Sequence, residues 1–246
     1  MVKTPIGGGS LTTLASTGNE VYGIAIDSSS VYWTNYLGGS GSVVKVPIGG
    51  GGATTLATSQ TYPSYLAVDG TNAYWSNLGY GPLMKAPIGG GGGTVLASVG
   101  ATWGLTIDSN SVYWTGHSYG AERVSKAGSG FIGYSGGQNT YGIAVDTSSV
   151  YWVGAGDGTV IKAPLGGGTS TTLASGQSSP QNIATDGVHA YWTNQDGTVM
   201  RVPVGGGTLT TMASGQGYPF GIVVDSTSIY WTNANSTSGS VVKAPK

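Results

Sequence analysis

Residues 22–35 read YGIAIDSSSVYWTN and contain the pattern that decides the fold. An apolar run ends at Asp27, and a Tyr-Trp pair follows at Tyr32 and Trp33. The same order of residues returns every 38 to 42 residues, which gives six copies, whose aspartates are Asp27, Asp69, Asp108, Asp146, Asp186 and Asp225. A fixed period of this length indicates a repeat architecture.

Each copy continues with a basic residue, a glycine run and a segment similar to Thr-Thr-Leu-Ala. In the fifth copy, four short segments are rich in β-branched and aromatic residues and are bounded by turn residues: Asn182 to Thr185, Ala190 to Asn194, Thr198 to Val202 and Leu209 to Ala213. Four strands in a unit of this length are typical of one propeller blade. The sequence therefore predicts an all-β fold, a six-bladed β-propeller with four antiparallel strands per blade, in a single domain over residues 1–246.

The motif also resembles known propeller families. Tyr22 to Asp27 followed by Val31 to Asn35 resembles the YWTD class of six-bladed propellers found in lipoprotein-receptor ectodomains, and the Gly-Ile-Ala-Val-Asp segment is similar to NHL-type propellers. The chain is similar, too, to uncharacterised bacterial proteins built from Tyr-Trp-Thr-Asn repeats. It departs from the YWTD pattern at the fourth motif position, which is Asn35, Asn77, Asn194, Asn233, Gly116 or Gly154 and never Asp. The contacts of that Asp therefore do not carry over.

The two ends of the chain bear on how the ring closes. In the blade order that the resemblance implies, the N-terminal outer strand, Leu11 to Ala15, completes the last blade and so closes the ring. Seven strands that contain a repeat Lys or Arg are then available for the one such position in each of six blades. We expect Val241 to Ala244 to take the last place and Met1 to Pro5 to be displaced, while the opposite choice, or a slice of a longer array, stays open.

Composition excludes several function classes. The chain has nine Lys and Arg and ten Asp and Glu, so its net charge is close to zero. It therefore has no strong positive electrostatic field to attract a nucleic acid or an anionic membrane surface. No apolar run approaches the roughly 18 residues of a membrane span. Cysteine is absent, and no cluster has zinc or EF-hand spacing, so we predict no metal or other cofactor. Low charge with many Ser, Thr, Gly and Asn favours an extracellular bacterial setting, and we expect a monomer.

The repeated residues favour architecture over chemistry. We expect each Tyr-Trp pair to place one ring on each face of its blade, in the packing between blades. The repeated Asp and Lys or Arg residues are expected near one end of the blade, where a basic side chain is able to reach an Asp. The glycine runs lack the lysine and helix of a phosphate loop and are interpreted as hairpin connections.

Candidate binding residues are the aromatic residues that differ between copies. The position five residues before each repeat Asp holds Tyr22, Ser64, Trp103, Tyr141, Gln181 and Phe220, which are predicted to encircle the upper mouth of the channel. Neighbouring loops add Tyr36, Tyr62, Tyr65, Tyr80, Tyr119 and Tyr218. Exposed rings among amides and hydroxyls suit sugars or peptides. The predicted ligand-binding residues are Tyr22, Tyr36, Trp103, Tyr119, Tyr141, Gln181 and Phe220; the alternative is that these rings only pack between blades.

Three functions fit the sequence. The leading hypothesis is a non-catalytic recognition module for a carbohydrate or a protein segment. The alternative is a lyase or hydrolase, because lyase-like and lactonase-like propellers place reactive groups at the central mouth, and His117, Glu122 and Arg123 lie in one loop here. The third is a natural or engineered repeat scaffold without a specific ligand.

Overall fold

The computed structural model describes residues 1–7, 9–79, 81–116, 120–234 and 239–246. Tyr80, His117 and Tyr119, which the sequence analysis singles out, lie outside these residues. By its internal contacts the chain divides into two compact units, Met1–Leu105 and Thr106–Lys246. Every described element is a strand, and the described residues contain no helix long and apolar enough to cross a membrane. The single-domain prediction stays a prediction.

Unit 1 holds the N-terminal pair and the first two repeat sheets. The N-terminal pair is β1 (Val2–Lys3) and β2 (Thr12–Thr13). Sheet 1 has the order β3 (Val21–Ile26), β4 (Ser30–Asn35), β5 (Gly41–Pro47), β6 (Thr54–Gln60). Sheet 2 has the order β7 (Pro63–Val68), β8 (Asn72–Asn77), β9 (Leu83–Pro87), β10 (Thr94–Ala97). The boundary between the units falls inside β11 (Thr102–Ile107), the first strand of sheet 3.

Unit 2 contains the remaining strands in the same sequential order. Sheet 3 continues with β12 (Ser111–Gly116), β13 (Ala121–Ser125) and β14 (Ile132–Tyr134). Sheet 4 is β15 (Thr140–Val145), β16 (Ser149–Gly154), β17 (Thr159–Pro164) and β18 (Thr171–Ala174). Sheet 5 is β19 (Pro180–Thr185), β20 (His189–Asn194), β21 (Val199–Pro203) and β22 (Thr210–Ala213). Sheet 6 has three strands, β23 (Pro219–Val224), β24 (Ser228–Ala234) and β25 (Gly239–Pro245). The prediction of six repeat sheets of short antiparallel strands is confirmed.

The Tyr-Trp pairs form the core between sheets, as predicted. Trp75, Trp152 and Trp192 are completely buried, and Tyr32 and Tyr191 are equally inaccessible. Successive strand residues point to opposite faces, so each pair supplies one ring to either side of its sheet. Each cluster of buried residues accordingly combines side chains from consecutive repeats, for example Tyr151 of β16 with Trp192 of β20.

The repeat Asp has a different partner from the one expected. Asp27 accepts hydrogen bonds through Oδ1 from the amides of Ser29 and Ser30 at 2.7 and 2.8 Å, and through Oδ2 from the Tyr32 hydroxyl at 2.7 Å. The other five copies repeat the Asp–Tyr bond, in the pairs Asp69–Tyr74, Asp108–Tyr113, Asp146–Tyr151, Asp186–Tyr191 and Asp225–Tyr230. Lys45 instead lies over the Tyr32 ring, with its Nζ 5.9 Å from the ring centroid. At Asp27 the Tyr32 hydroxyl thus takes the place predicted for a basic side chain.

The motif asparagine, which departs from the YWTD pattern, helps to hold the tryptophan beside it. In sheet 5, Trp192 Nε1 and Asn194 Nδ2 both donate to Oε1 of Gln177, each at 3.1 Å. Sheets 2 and 6 repeat the arrangement with Gln60 and Gln216. A buried indole N–H needs an acceptor, and these glutamines supply it in sheets 2, 5 and 6.

One recurring hydrogen bond joins sheets 1 and 2, sheets 3 and 4, and sheets 5 and 6. Thr34, after the Tyr-Trp pair of sheet 1, donates to the Ser64 carbonyl of sheet 2 at 2.9 Å, and Thr193 of sheet 5 donates to the Phe220 carbonyl of sheet 6 at 2.8 Å. The acceptor is in each case the residue five positions before the next repeat Asp. A β-bulge at the start of the first strand of sheets 1, 2, 4, 5 and 6 accompanies this contact.

The two chain ends contain the strands on which the predicted closure depends. The N-terminal outer strand, β2, pairs with β1 in the register Lys3 with Thr12, which repeats Lys45 with Thr54 in sheet 1. The last basic strand, β25, pairs with β24, as expected for Val241 to Ala244. The partner of β2 is thus a strand only a short connection away, and closure of the ring by the N-terminal outer strand stays a prediction.

The Asp–Tyr bond makes stability depend on pH at both extremes. Burial opposes ionisation of Asp27, but hydrogen bonds from Tyr32 and Ser29 outweigh it and lower its pKa to about 2. Burial, together with the bond to Asp27, raises the pKa of Tyr32 to about 12.

We expect stability to be lost outside the range that these shifts define. A lowered Asp pKa contributes stability above the unfolded value of about 4, and this is lost as pH falls towards 2. A raised Tyr pKa contributes below about 10 and is lost as pH rises towards 12. Urea unfolding followed by circular dichroism across this range checks it; an unfolding midpoint that stays constant below pH 4 and above pH 10 contradicts it.

Candidate functional site

Four tyrosines of unit 1 form one connected cluster of rings. Tyr22 stacks on Tyr36 with their ring centroids 5.3 Å apart, and it meets Tyr65 edge to face at 5.4 Å. The ring of Tyr62 lies 5.1 Å from that of Tyr36. The hydroxyls of Tyr22 and Tyr65 are 3.3 Å apart and share a hydrogen bond. We call Tyr22, Tyr36, Tyr62 and Tyr65 the tyrosine cluster.

The strand topology explains why these residues meet. Tyr22 lies at the start of β3 and Tyr36 directly follows β4, so the antiparallel pairing of these strands brings them to the same end of sheet 1. Tyr65 lies on β7, the first strand of the next sheet, and Tyr62 directly precedes that strand. The Tyr62 amide donates to the Leu37 carbonyl at 3.2 Å, which ties the two connections together.

Tyr62 has an unfavourable backbone conformation for a large side chain. Its φ is 51°, in the left-handed region, and the equivalent positions Asn139, Ser179 and Tyr218 have φ of 48°, 47° and 57°. Asparagine tolerates this conformation well, whereas a bulky residue there is uncommon and often marks a functional position. The Tyr62 ring also lies against Gly38, where a Cβ would come within 2.8 Å of the ring Cζ. The backbone of Tyr62 is therefore held in an unfavourable conformation, and the absence of a side chain at Gly38 leaves room for the ring.

The cluster presents both ring faces and hydroxyls to solvent. Tyr62 is 44% exposed and Tyr22 is 39% exposed, while Tyr36 and Tyr65 are half-buried beneath them. Burial raises the pKa of Tyr36, and the neighbouring Tyr22, Tyr62 and Glu20 raise it further. The Tyr36 hydroxyl is therefore protonated at neutral pH and available as a donor. A surface of this kind binds through flat apolar faces and directional hydroxyls rather than through charge.

The other predicted binding residues differ in their exposure. In unit 2, Phe220 is 39% exposed, and Tyr141 is half-buried with its carbonyl accepting the Thr115 hydroxyl. Gln181 is buried, and its amide donates to the Ser179 carbonyl at 2.8 Å. Trp103 in unit 1 is half-buried. These assignments stay predictions, as does that of Tyr119.

Two residues that complete the cluster, Tyr62 and Tyr65, appear in the sequence only as aromatic residues of neighbouring loops. The one feature of the sequence that points to the cluster is the occurrence of aromatic residues in consecutive connections of the first two copies. The sequence does not indicate that Tyr62 takes a left-handed conformation, because the equivalent positions hold residues as different as Asn139, Ser179 and Tyr218.

The residues of the enzyme alternative are engaged in structural bonds. Glu122 accepts the Trp114 indole N–H at 2.5 Å, and Arg123 donates to the Ser111 hydroxyl at 3.0 Å. His117 lies outside the described residues. Within the described part of the chain, no group of three or more His, Asp or Glu side chains is placed to hold a metal ion.

A shallow depression of about 690 Å³ in unit 2 contains three repeat aspartates, Asp108, Asp146 and Asp186. Each carboxylate already accepts a tyrosine hydroxyl and the amides of its own turn. Asp186 also forms an ion pair with Lys246 at 2.8 Å. The residues of this depression stabilise turns, and we do not assign a ligand to it.

Comparison with known proteins identifies the fold. No family model matches the sequence, and no curated protein matches it either. The computationally designed protein Ika8 is 17% identical with a TM-score of 0.74, over 93% of this chain and 72% of the other. A protein of unknown function from Bacteroides thetaiotaomicron VPI-5482 is 14% identical with a TM-score of 0.62, over 93% and 70%. A chain of a nidogen/laminin complex is 18% identical with a TM-score of 0.57, over 92% and 75%.

The fold is a β-propeller. Identities of 14 to 18% carry the fold alone and leave the propeller class and the ligand undecided. A functional argument for this propeller must therefore come from its own side chains, of which the tyrosine cluster is the most distinctive group.

Proposed function

We propose that this propeller, of the YWTD-like class, is a non-catalytic recognition module that binds a neutral carbohydrate at the tyrosine cluster. The observation that carries the proposal is the connected set of four tyrosine rings, two of them well exposed and one held in a left-handed conformation. Solvent-exposed apolar surface that is retained at a local cost supports a role in binding.

The chemistry of the cluster supports a sugar in particular. A pyranose ring has an apolar C–H face and a rim of hydroxyls, which match an aromatic face bordered by phenolic hydroxyls. Tyrosine also loses little conformational entropy when it binds, because it has only two side-chain torsions. Packing of Tyr36 between Tyr22 and Tyr62 orders the rings before a ligand arrives and reduces that loss further.

We propose a non-catalytic module because two residues of the enzyme alternative already form hydrogen bonds within the fold. Glu122 and Arg123 already have partners in the sheet, Trp114 and Ser111. General acid–base chemistry requires groups that converge on a substrate within hydrogen-bond reach. Engagement of both side chains in the fold therefore favours a binding role over an enzymatic one.

The test of the proposal uses two tyrosines in equivalent positions. We expect Tyr62→Ala to weaken binding of the best ligand from a glycan array by at least about tenfold, since stacked aromatic residues commonly contribute more than 1.4 kcal/mol. Tyr218→Ala is the matched control, because Tyr218 has the same backbone conformation and is 43% exposed, but lies in unit 2. Isothermal titration calorimetry of both variants gives the comparison.

Equal losses in the two variants, or binding unaffected by Tyr62→Ala, contradict the proposed site. A peptide that binds in a Tyr62-dependent manner while no glycan binds keeps the site and overturns the carbohydrate. Unfolding midpoints of both variants are measured alongside, so that a loss of folded protein is not mistaken for a loss of binding.

A further inference from the structure

The chain contains four Asp-Gly pairs, and they differ in how firmly their carboxylates are held. The pairs are Asp69–Gly70, Asp157–Gly158, Asp186–Gly187 and Asp196–Gly197. In such a pair the amide nitrogen of the glycine is able to attack the aspartate side chain, because glycine has no side chain of its own to crowd that nitrogen. The hydrogen bonds around each pair therefore decide whether this reaction is open to it.

Two of the pairs belong to repeat turns in which the carboxylate is fixed. Asp69 accepts the amides of Thr71 and Asn72 through Oδ1, at 2.8 Å each, and its Oδ2 accepts the Tyr74 hydroxyl at 3.1 Å. Burial opposes ionisation of Asp186, but a lysine ammonium and the amides of its turn outweigh burial and lower its pKa. The carboxylic acid form is the one that an amide attacks, so both the geometry and the ionisation protect these turns.

The Asp157 carboxylate has far fewer bonds. Asp157 lies in the connection between β16 and β17 and is exposed. Among the described residues, only the Thr159 hydroxyl donates to its carboxylate, at 2.7 Å. The N–H of Gly158 has no acceptor in the described part of the chain. One hydrogen bond therefore separates this side chain from rotation towards the Gly158 nitrogen.

The corresponding pair of sheet 5 is bound more firmly. The Asp196 carboxylate accepts both the amide and the hydroxyl of Thr198, at 3.1 and 2.7 Å. The Gly197 N–H donates to the Asn194 carbonyl at 3.2 Å. Asp196–Gly197 thus lies in the same kind of connection as Asp157–Gly158, with further hydrogen bonds that oppose the reaction.

We infer that Asp157–Gly158 is a site of spontaneous backbone isomerisation through a cyclic imide. The Gly158 nitrogen attacks Cγ of the carboxylic acid form of Asp157, a C–N bond forms, and the carboxyl hydroxyl leaves as water with the amide proton. Water then opens the ring: cleavage at the side-chain carbonyl restores aspartate, and cleavage at the main-chain carbonyl leaves isoaspartate. One water is released and one is consumed, and the inference does not depend on the proposed function.

The effect of this isomerisation is expected to reach the next sheet through Gln177. The Gly158 carbonyl accepts the Gln177 amide at 2.9 Å, and a Cβ on Gly158 would lie only 2.4 Å from the Gln177 carbonyl oxygen. An isoaspartate link adds a methylene group to the main chain beside this contact, which has no room for it. Since Gln177 Oε1 accepts from the side chains of Trp192 and Asn194, we expect isomerisation to loosen the Trp192 indole.

Peptide mapping by liquid chromatography and mass spectrometry tests the inference on protein aged at neutral pH in heavy-oxygen water, which labels each ring opening. We expect label and isoaspartate to accumulate at Asp157 at least about tenfold faster than at Asp69 or Asp186, because every hydrogen bond that holds a carboxylate adds to the barrier. Asp196 is expected to react at an intermediate rate. Hydrogen exchange of the Trp192 indole N–H should become faster as the isomerised fraction grows.

Asp157→Glu is expected to abolish isomerisation at this position and the accompanying change in Trp192 exchange, since glutamate keeps the charge but has to close a larger ring. Asp196→Glu is the matched control, in which Asp157 should age as in the wild type. Equal rates at Asp157 and Asp69, or a faster reaction at Asp196 than at Asp157, overturn the inference. Trp192 exchange that accelerates equally during ageing of Asp157→Glu overturns the effect on sheet 5.

Discussion

Replacement of Trp192 by alanine is expected to lower the free energy of unfolding by about 3–5 kcal/mol, the usual cost of removing a fully buried aromatic side chain. Trp192 is completely inaccessible and packs with Tyr151, Val153 and Val160 of the preceding repeat. Its indole N–H also donates to Gln177, so the variant leaves that buried amide oxygen with one partner fewer. Chemical denaturation monitored by circular dichroism measures the change.

The control for this prediction is Phe131→Ala, because Phe131 is an aromatic residue of unit 2 that is 61% exposed. Its loss should change the free energy of unfolding by less than about 1 kcal/mol. If Trp192→Ala costs no more than Phe131→Ala, the interpretation of the Tyr-Trp pairs as the core between sheets is wrong.

Substitution of Gly142 by alanine is expected to destabilise the protein by about 1–3 kcal/mol through overpacking. The new Cβ would lie 2.5 Å from Asn182 Cα and 2.8 Å from the Ile183 amide nitrogen, both in the backbone of the next sheet. A backbone cannot turn away as a flexible side chain does, so β15 and β19 must separate. Thermal or urea unfolding gives the magnitude.

Gly133→Ala is the matched control, because Gly133 is also a strand glycine of unit 2, in β14. Its added Cβ meets only the Phe131 ring, 3.9 Å from Cε1, and alanine restricts the unfolded chain. We expect the unfolding free energy of this variant to lie within about 0.5 kcal/mol of wild type. Equal destabilisation by the two substitutions contradicts the close approach of β15 and β19.

The repeat pattern was sufficient to predict the fold, because every copy contains the same alternation of strand and turn residues. The strands predicted in the fifth copy lie within two residues of β19, β20, β21 and β22. Burial of the Tyr-Trp pairs followed from side-chain alternation alone. Six near-copies made each local signal reinforce the others.

Pairings between side chains were harder to predict from the sequence. Tyr32 and Lys45 lie opposite each other on neighbouring strands. Only the directions of their side chains decide that the tyrosine hydroxyl reaches Asp27 while the lysine lies over the tyrosine ring. Gln177 lies in the connection just before sheet 5, yet it accepts from Trp192, which is 15 residues further along the chain. Such contacts depend on geometry that composition and period do not contain.

The candidate site was predicted only in part for a similar reason. Tyr22 and Tyr36 were recognised as aromatic residues at variable positions of the repeat. That Tyr62 and Tyr65 meet them depends on the adjacency of sheets 1 and 2 and on the left-handed backbone of Tyr62. Gln181, by contrast, satisfies the same positional rule and is buried against its own connection.

The most direct test of the tyrosine cluster as a recognition site is a nuclear magnetic resonance titration of the protein labelled in its tyrosine rings. The titrant is the best carbohydrate from the glycan array, and single Tyr→Phe variants assign the signals. We predict that the ring signals of Tyr22, Tyr36 and Tyr62 shift together on one saturating curve, while that of Tyr218 stays in place. A saturating shift confined to tyrosines outside the cluster, or no saturable shift for any glycan, contradicts the account.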